Sequence, residues 1–418
     1  MSTPTLDYTC ASCGEPAALR CVRCLGAFYC GKECQKKMWR EHKVFCKEAA
    51  EFLAANGMSI DKFDKDFERD KRLAELGDVK SQFNLGLCYE KGTGVAIDMP
   101  KAIHWYTLAA EAGVAVAQIN LWHFYFNGKN GIPVDKREAF KWCKRAAEAG
   151  CAQAYLNLGI CYENGDGVTV DKREAVKWYT RGAEAGDADA QFMLGQSLFN
   201  GIGVAVNKRE AFKWYTIASK AGHARAQVNL GNCFMNGDGV EVDKREAFKL
   251  YTRAAEAGDV NAQAALGQCY SNGAGVAVNK RECIKFYTLA AEAGNVNAQF
   301  NLGLCYDNGD GVNVDQREAV KWFTRAAEAG DTGAQFNLGN CYSKGDGIAV
   351  DKREAIKWYT RAAEAGSGDA QLNLGVCYFN GDGIDVNKTE AIKWFTRAAE
   401  AGHAQAQTVL DSLLRVRS

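Results

Sequence analysis

The sequence predicts an all-α repeat solenoid preceded by a small cysteine-rich module. Three observations carry that prediction. A 36-residue unit recurs nine times between Asp78 and Gly402. Within each unit, apolar and small residues return at helical spacing. Seven of the 17 cysteines, with one histidine, crowd into the first 46 residues ahead of the repeats.

Composition narrows the function classes. At about 150 residues per domain, 418 residues suggest two or three units. Lys+Arg and Asp+Glu are both 51, so the formal net charge is zero. No nucleic-acid partner is expected, since sequence-independent phosphate binding needs a net basic face. An apolar fraction of 47% can build a core. No run approaches 18 uninterrupted apolar residues, so no membrane span is expected. Met1 to Thr9 has neither a basic start nor an apolar run, so no secretory signal is expected either.

The first module, residues 10–46, has the spacing Cys10-x2-Cys13-x7-Cys21-x2-Cys24-x5-Cys30-x3-Cys34-x7-His42-x3-Cys46. Eight thiolate or imidazole donors in four pairs are the number that two tetrahedral zinc ions take. A two-residue gap lets a tight turn aim two thiolates at one ion. His42 and Cys46 are spaced i,i+4 and share a helical face. Disulfides would not require the histidine, and an exported disulfide module would need a signal. Together with FYCGKECQKKMWREHKVFC, Phe28 to Cys46, the pattern resembles the MYND zinc finger. The resemblance implies two interleaved sites. Cys10, Cys13, Cys30 and Cys34 would hold one ion, and Cys21, Cys24, His42 and Cys46 the other. Both would be structural, closing a chain too short to fold on its own core.

Gln35 and Trp39 stand one helical turn apart. In the MYND family, residues at these positions help bind short proline-containing peptides, so the resemblance implies a peptide site here. Extended proline-rich segments are preordered, and aromatic grooves bind them at low entropic cost. The competing reading is that Trp39 packs on its own domain. Lys36, Lys37, Arg40, Lys43 and Lys47 are read as a solvated face, with phosphate or acidic-peptide contact as the alternative.

Residues 47–77 are expected to form a linker and an N-terminal capping helix. Phe63 to Gly77 aligns with the second half of a repeat that lacks its first half. The nine repeats fill 78–402, with one insertion in the second copy near Lys129 to Gly131. Internal periodicity on this scale means a solenoid. In the copy Asp331 to Gly366, helix A carries Ala334, Leu338, Cys341 and Tyr342 on one face and ends at a GDG loop. Helix B opens on Asp351-Lys-Arg-Glu354, a capping-box pattern in which the Asp accepts early N–H groups and the Glu reaches back. Ala355, Ile356, Trp358, Tyr359, Ala362 and Ala363 form its buried side, and Gly366 gives a left-handed stop. Four such repeat positions hold 35 of the 43 glycines. Residues 403–418 read as a lone, cationic helix A, a C-terminal cap.

The L-G-x-x-Y core is similar to the tetratricopeptide repeat. The 36-residue period, the G-x-G-[VI] turn and the W-x-x-x-A-A-x-x-G ending resemble its relative, the Sel-1-like repeat, over about 78% of the chain. That resemblance implies a right-handed α/α superhelix with helix A on the concave side. The second copy departs from it: Trp122 stands where the others have glycine, as at Gly86 and Gly159. A locally widened or shifted helix pair is expected there.

Three ladders run through the repeats. Cysteines recur at Cys88, Cys161, Cys233, Cys269, Cys305, Cys341 and Cys377. Neighbouring helices pack about 8–10 Å apart, whereas a disulfide needs Cα atoms within about 7 Å, so the ladder cannot pair along itself. Extracellular relatives often pair two cysteines within a unit, and this chain lacks the second. Reduced, buried thiols are therefore expected, and with them a cytosolic or nuclear location. Asparagines recur at Asn84, Asn120, Asn157, Asn229, Asn301, Asn337 and Asn373, interrupted by Met193 and Ala265. Asparagine is a poor mid-helix residue, so these are either candidate partner-binding amides or a structural feature of the repeat. Gln82, Gln118, Gln191, Gln227, Gln263, Gln299, Gln335 and Gln371 are read as structural. Trp105, Trp142, Trp178, Trp214, Trp322, Trp358 and Trp394, with Leu250 and Phe286, are read as core.

No catalytic constellation is visible. The chain has no phosphate loop with its lysine, no nucleophile elbow and no His-Glu-x-x-His. His104, His123, His223 and His403 occupy unrelated repeat positions. The expectation is a non-enzymatic adaptor or scaffold whose finger takes proline-containing motifs and whose solenoid takes a second protein. A nuclear corepressor-recruiting factor and a chaperone-like cofactor are the alternatives. Elemental analysis tests the metal reading: about two zinc ions per chain are expected from eight donors, and about one or none would contradict it.

Overall fold

The structure, a computed structural model, describes residues 19–20, 28–29, 60–128 and 131–415. Two short strands, β1 (Leu19–Arg20) and β2 (Phe28–Tyr29), pair antiparallel, with Leu19 opposite Tyr29 and Arg20 opposite Phe28. In sequence they bracket the Cys21-x2-Cys24 pair, a hairpin that helical periodicity does not foreshadow.

All other regular structure among the described residues is helical. α1 (Ile60–Glu75) is followed by nine helix pairs and by α20 (Ala404–Arg415). The first five pairs are α2 (Val79–Lys91) with α3 (Met99–Glu111), α4 (Ala115–Asn127) with α5 (Lys136–Glu148), α6 (Ala152–Asn164) with α7 (Lys172–Glu184), α8 (Ala188–Asn200) with α9 (Lys208–Lys220), and α10 (Ala224–Asn236) with α11 (Lys244–Glu256). The last four are α12 (Val260–Asn272) with α13 (Lys280–Glu292), α14 (Val296–Asn308) with α15 (Gln316–Glu328), α16 (Thr332–Lys344) with α17 (Lys352–Glu364), and α18 (Gly368–Asn380) with α19 (Lys388–Glu400). The even-numbered members are the A helices and the odd-numbered the B helices.

Caps set the length of each helix. Asp331 Oδ1 accepts from the Ala334 N–H at 2.6 Å, and Gly345, at φ 87°, returns its N–H to the Cys341 carbonyl. At α17, Asp351 Oδ1 accepts from the Arg353 and Glu354 N–H groups at 3.0 Å each. Such a cap contributes about 1 kcal/mol. The second half of the expected capping box is absent. The Asp351 N–H already donates to the Tyr342 carbonyl at 2.9 Å, so Glu354 has no donor to reach back to. It takes Lys357 Nζ at 2.6 Å instead.

Two glycine positions bring backbones into contact. In helix A, a Cβ on Gly339 would sit 2.6 Å from the Tyr359 ring of its own helix B. Gly86 and Tyr106, Gly159 and Tyr179, and Gly303 and Phe323 repeat this. In the loop after helix A, a Cβ on Gly347 would sit 2.1 Å from the Gln316 carbonyl oxygen, at the start of the preceding helix B. Gly167 and Lys136, and Gly239 and Lys208, do the same. The first contact closes a repeat; the second joins it to the one before.

The core follows from this arrangement. Four buried clusters among the described residues combine one helix B, the next helix A and the tryptophan of the helix B after that. In one, Ala355, Ile356, Tyr359, Ala362 and Ala363 of α17 meet Ala370, Leu374 and Cys377 of α18 and Trp394 of α19. The Arg397 guanidinium lies 4.8 Å from the Trp394 ring centroid, so the outer edge of that indole carries a cation–π contact. A repeat cut at its own boundaries would leave half of every such cluster exposed.

The chain divides into two compact units within α8. The first holds α1 to α7 and most of α8. Its cluster at α1 joins Phe67 and Ala74 to Leu85 and Tyr89 of α2 and to Tyr106 of α3. The second begins with Leu198–Asn200, resumes at Val206 and runs through α20. At its far end Ala391 and Phe395 of α19 pack with Leu410 of α20.

The widened helix pair expected at Trp122 is not found. α4 and α5 approach each other as closely as the A and B helices of other repeats. The reason lies across the pair: Cys143 occupies the place where every other helix B has tyrosine or phenylalanine. The ring has moved from helix B to helix A. What loosens is outside the pair, since the contacts of α3 with α4 and of α5 with α6 are sparser than at most equivalent junctions.

Thermal and denaturant unfolding check these points. Gly330→Ala, at φ 95° with open space around it, should cost about 1–2 kcal/mol for its left-handed backbone. Gly347→Ala should cost more, adding a clash of about 1–3 kcal/mol. Equal losses would show that the loop contact is slack. At the exchanged pair, Cys143→Tyr alone should destabilise strongly, and adding Trp122→Gly should recover most of the loss. A purely additive pair would contradict the ring exchange.

Candidate functional site

The finger's predicted ligands, Cys10, Cys13, Cys21, Cys24, Cys30, Cys34, His42 and Cys46, lie outside the described residues. So do Gln35 and Trp39. The donor set itself, seven thiols and one imidazole, suits zinc. Among the described residues no cluster of three or more His, Cys, Asp or Glu could hold a metal ion.

The helix A amides are largely engaged with the preceding repeat. Burial raises the Tyr106, Tyr215 and Tyr359 phenols, and Asn120, Asn229 and Asn373, each fourteen residues later, stand close enough to oppose that shift. Burial pushes the Tyr215 phenol up to about 12, with the Asn229 amide opposing. Tyr359 also donates to Asn340 Oδ1 at 2.7 Å, and Asn373 Nδ2 donates to the same oxygen at 3.3 Å. Like Tyr359, Tyr106 and Tyr251 donate within their own repeats, to Glu90 at 2.6 Å and to Asn232 at 2.7 Å. Asn84 donates to Asp70 Oδ2 of α1 at 3.0 Å.

Where the preceding ring has no hydroxyl, the ladder changes. Asn157 follows Cys143 by fourteen residues and folds back onto the Gln153 carbonyl at 3.2 Å, on an exposed surface. Asn337 follows Phe323 by the same interval and is half-buried. Asn301 follows Tyr287, whose hydroxyl is taken by Gln268 Oε1 at 3.2 Å. The tyrosine-to-asparagine interval was present in the sequence and is the signal that a ladder-by-ladder reading misses.

The glutamines have a defined task. Gln118 Nε2 donates to the Ala110 carbonyl at 2.9 Å, Gln299 to Ala291 at 3.0 Å and Gln371 to Ala363 at 3.0 Å. Each adds a second donor to a carbonyl in the last turn of a helix B that also accepts from the N–H of the glycine three residues on. The ladder cysteines are mostly buried, and burial pushes the Cys233, Cys269, Cys341 and Cys377 thiols up to about 11. Neutral and enclosed, they act as small apolar groups.

The outer face of helix B is a row of exposed ion pairs spaced i,i+3, such as Lys177–Glu174 and Lys357–Glu354 at 2.6 Å. Such pairs contribute little to stability. Shallow grooves of about 660 and 670 Å³ lie between Val314–Arg317 and Gly345–Ala349, and between Val134–Arg137 and Gly165–Thr169. They recur with the repeat and contain no convergent catalytic groups. No helix among the described residues is long and apolar enough to cross a membrane.

Comparison with known proteins bears on both modules. The Sel1 repeat family matches nine consecutive segments from 79–114 to 368–403, and the MYND finger family matches residues 10–46. A protective antigen of uropathogenic Escherichia coli with an SLR fold superposes with a TM-score of 0.62 at 32% identity, over 83% of this chain and 82% of that one. A Sel1 repeat protein from Oxalobacter formigenes gives 0.59 at 31% identity, over 74% and 90%. Among curated relatives, a putative sel1-like repeat-containing protein of Acanthamoeba polyphaga mimivirus is 49% identical over 57 residues, 14% of this chain and 11% of its own length. A Drosophila melanogaster homolog of zinc finger MYND domain-containing protein 10 is 42% identical over 40 residues, 10% of this chain and 9% of its own. The chain thus spans about a tenth of the length of these curated relatives. Both modules are of kinds that mediate protein–protein interaction. With nine matched repeats behind a matched finger, the chain belongs to the Sel1-repeat family and carries a MYND finger at its N-terminal end.

Proposed function

We propose that the chain is an intracellular adaptor with two recognition surfaces, acting in the cytosol or nucleus without catalysing a reaction. The finger, held by two structural zinc ions on the eight donors named above, captures a short proline-containing segment against Trp39 and Gln35. The A helices of the solenoid take a second protein through the asparagine ladder. The observation that supports this most is the uneven use of that ladder. Asn120, Asn229 and Asn373 meet a tyrosine hydroxyl, whereas Asn157 and Asn337 follow residues that have none. An amide without that partner keeps donor and acceptor capacity for the backbone of an extended ligand. The B helices, covered with short-range ion pairs, keep the assembly soluble.

Affinity purification with mass spectrometry checks both surfaces. Trp39→Ala should leave zinc content unchanged and remove a set of partners that share a proline-containing motif. Asn157→Ala with Asn337→Ala should remove a different set. An unchanged list for both variants, or a list made up of assorted unfolded proteins, would overturn the adaptor reading.

A further inference from the structure

The first residue of helix B is lysine in seven of the nine repeats, and its ammonium has a recurring place. Lys136 of α5 holds its Nζ 5.4 Å from the Phe126 ring centroid of α4 and 2.6 Å from Asp166 Oδ1, in the loop after α6. Lys208 of α9 lies likewise 5.2 Å from Phe199 of α8 and 2.7 Å from Asp238, after α10. Lys280 pairs with Asp310 at 3.6 Å, and Lys352 donates to Ser343 Oγ at 3.0 Å. Together these contacts define a slot for a primary ammonium. One wall is a side chain near the end of the repeat's own helix A, and the other is the loop of the next repeat.

The repeat of α14 and α15 has this slot without its cation. Gln316 stands in place of the lysine, Asp307 in place of the ring, and Asp346 still holds the loop position across the junction. Both carboxylates are half-buried. Burial raises the Cys341 thiol, and Asp307 and Asp346 add to it. At Cys233 and Cys377 burial is again foremost, but there the aspartate comes with its lysine, which opposes it. Among the described residues neither Asp346 nor Lys344, two residues before it, forms an ion pair of the kind made at Asp166 and Asp238. The junctions with Ile202 and Ala274 at the loop position are the reverse case, since they keep Lys172 and Lys244 and lack the carboxylate.

We propose that the slot between Asp307 and Asp346 receives a lysine side chain of a partner protein, in the place that Lys136 and Lys208 take in their own repeats. Two carboxylates at one site repel, and an ammonium between them relieves the repulsion. A lysine brings that charge on a flexible four-carbon stem, whereas the Gln316 amide is neutral. Asp307 follows Phe300 and Leu304 by seven and three residues, so it shares their face of α14. A partner lying along the A helices therefore reaches the slot. The inference rests on the adaptor reading and adds to it a point of charge that fixes the partner's register.

The test uses the full-length, zinc-loaded chain without a partner, so its failure would remove the slot and leave the adaptor reading standing. A water-soluble carbodiimide is added with Nα-acetyl-lysine N-methylamide as the probe, and the amide bonds formed are mapped by mass spectrometry. Lys136–Asp166 and Lys208–Asp238 should link within the chain. Asp307 and Asp346 should couple to the probe several-fold more than the exposed Glu241 and Asp385, and high salt should abolish the excess. Gln316→Lys installs the residue that seven other repeats carry at this position, so it should keep the fold. In that variant position 316 should link to Asp346, and the probe should be excluded. The proposal is overturned if Asp307 and Asp346 couple no more than Asp385, or if Gln316→Lys leaves their coupling unchanged. It is equally overturned if Asp346 links to Lys344 instead, or if the two internal lysine–aspartate links fail to form, since the slot would then not exist.

Discussion

A glycine Cα pressed against an aromatic ring is the contact on which the rest of this protein depends. In α16 a methyl group at Gly339 would lie 2.6 Å from the Tyr359 ring. That leaves no room for any other residue while the ring stays in place. The ring in turn fixes how helix A lies on helix B, and so where the following loop emerges. There a second glycine, Gly347, touches the backbone of the preceding helix B. Interiors packed at crystal density respond to a single methylene, so two glycines per repeat suffice to set both its internal geometry and its junction.

The surfaces follow from those contacts. With the tyrosine ring lying across a glycine, its hydroxyl lies at the boundary between repeats, where the next asparagine meets it at three junctions. The glutamine two residues earlier reaches back to the end of helix B. The polar groups of helix A therefore serve in part to join repeats. Helix B turns its ion pairs outward and its tryptophan inward, and its guanidinium groups cover the indole edges.

Much of this was legible in the residues. Period, helix boundaries, the buried side of helix B and the left-handed glycines could be read directly, because each rests on local propensity or on a pattern repeated nine times. Features that depend on two columns of the repeat at once are visible in neither column alone. Trp122 looked incompatible with a close pair because glycine was missing, yet the same copy also lacks its ring at Cys143. The glutamate of the Lys-Arg-Glu triplet looked like a capping-box partner, but the N-cap N–H was already used by a carbonyl of helix A. In the finger, donor identity and spacing speak to zinc, whereas the β1–β2 hairpin arises from pairing between four residues that carry no periodic signal.

In the proposed adaptor, labour is divided within each repeat: the B helices present an inert charged surface, while the A helices, besides joining repeats, take the partner. Hydroxyl-radical footprinting of the chain, alone and with a captured partner, tests that division most directly. It predicts that binding shields half-buried A-helix side chains such as Phe300, Phe336 and Tyr342. The exposed valines before the B helices, Val314 and Val350, should stay as reactive as in the free chain. Shielding of those valines with the A-helix aromatics unchanged would contradict it.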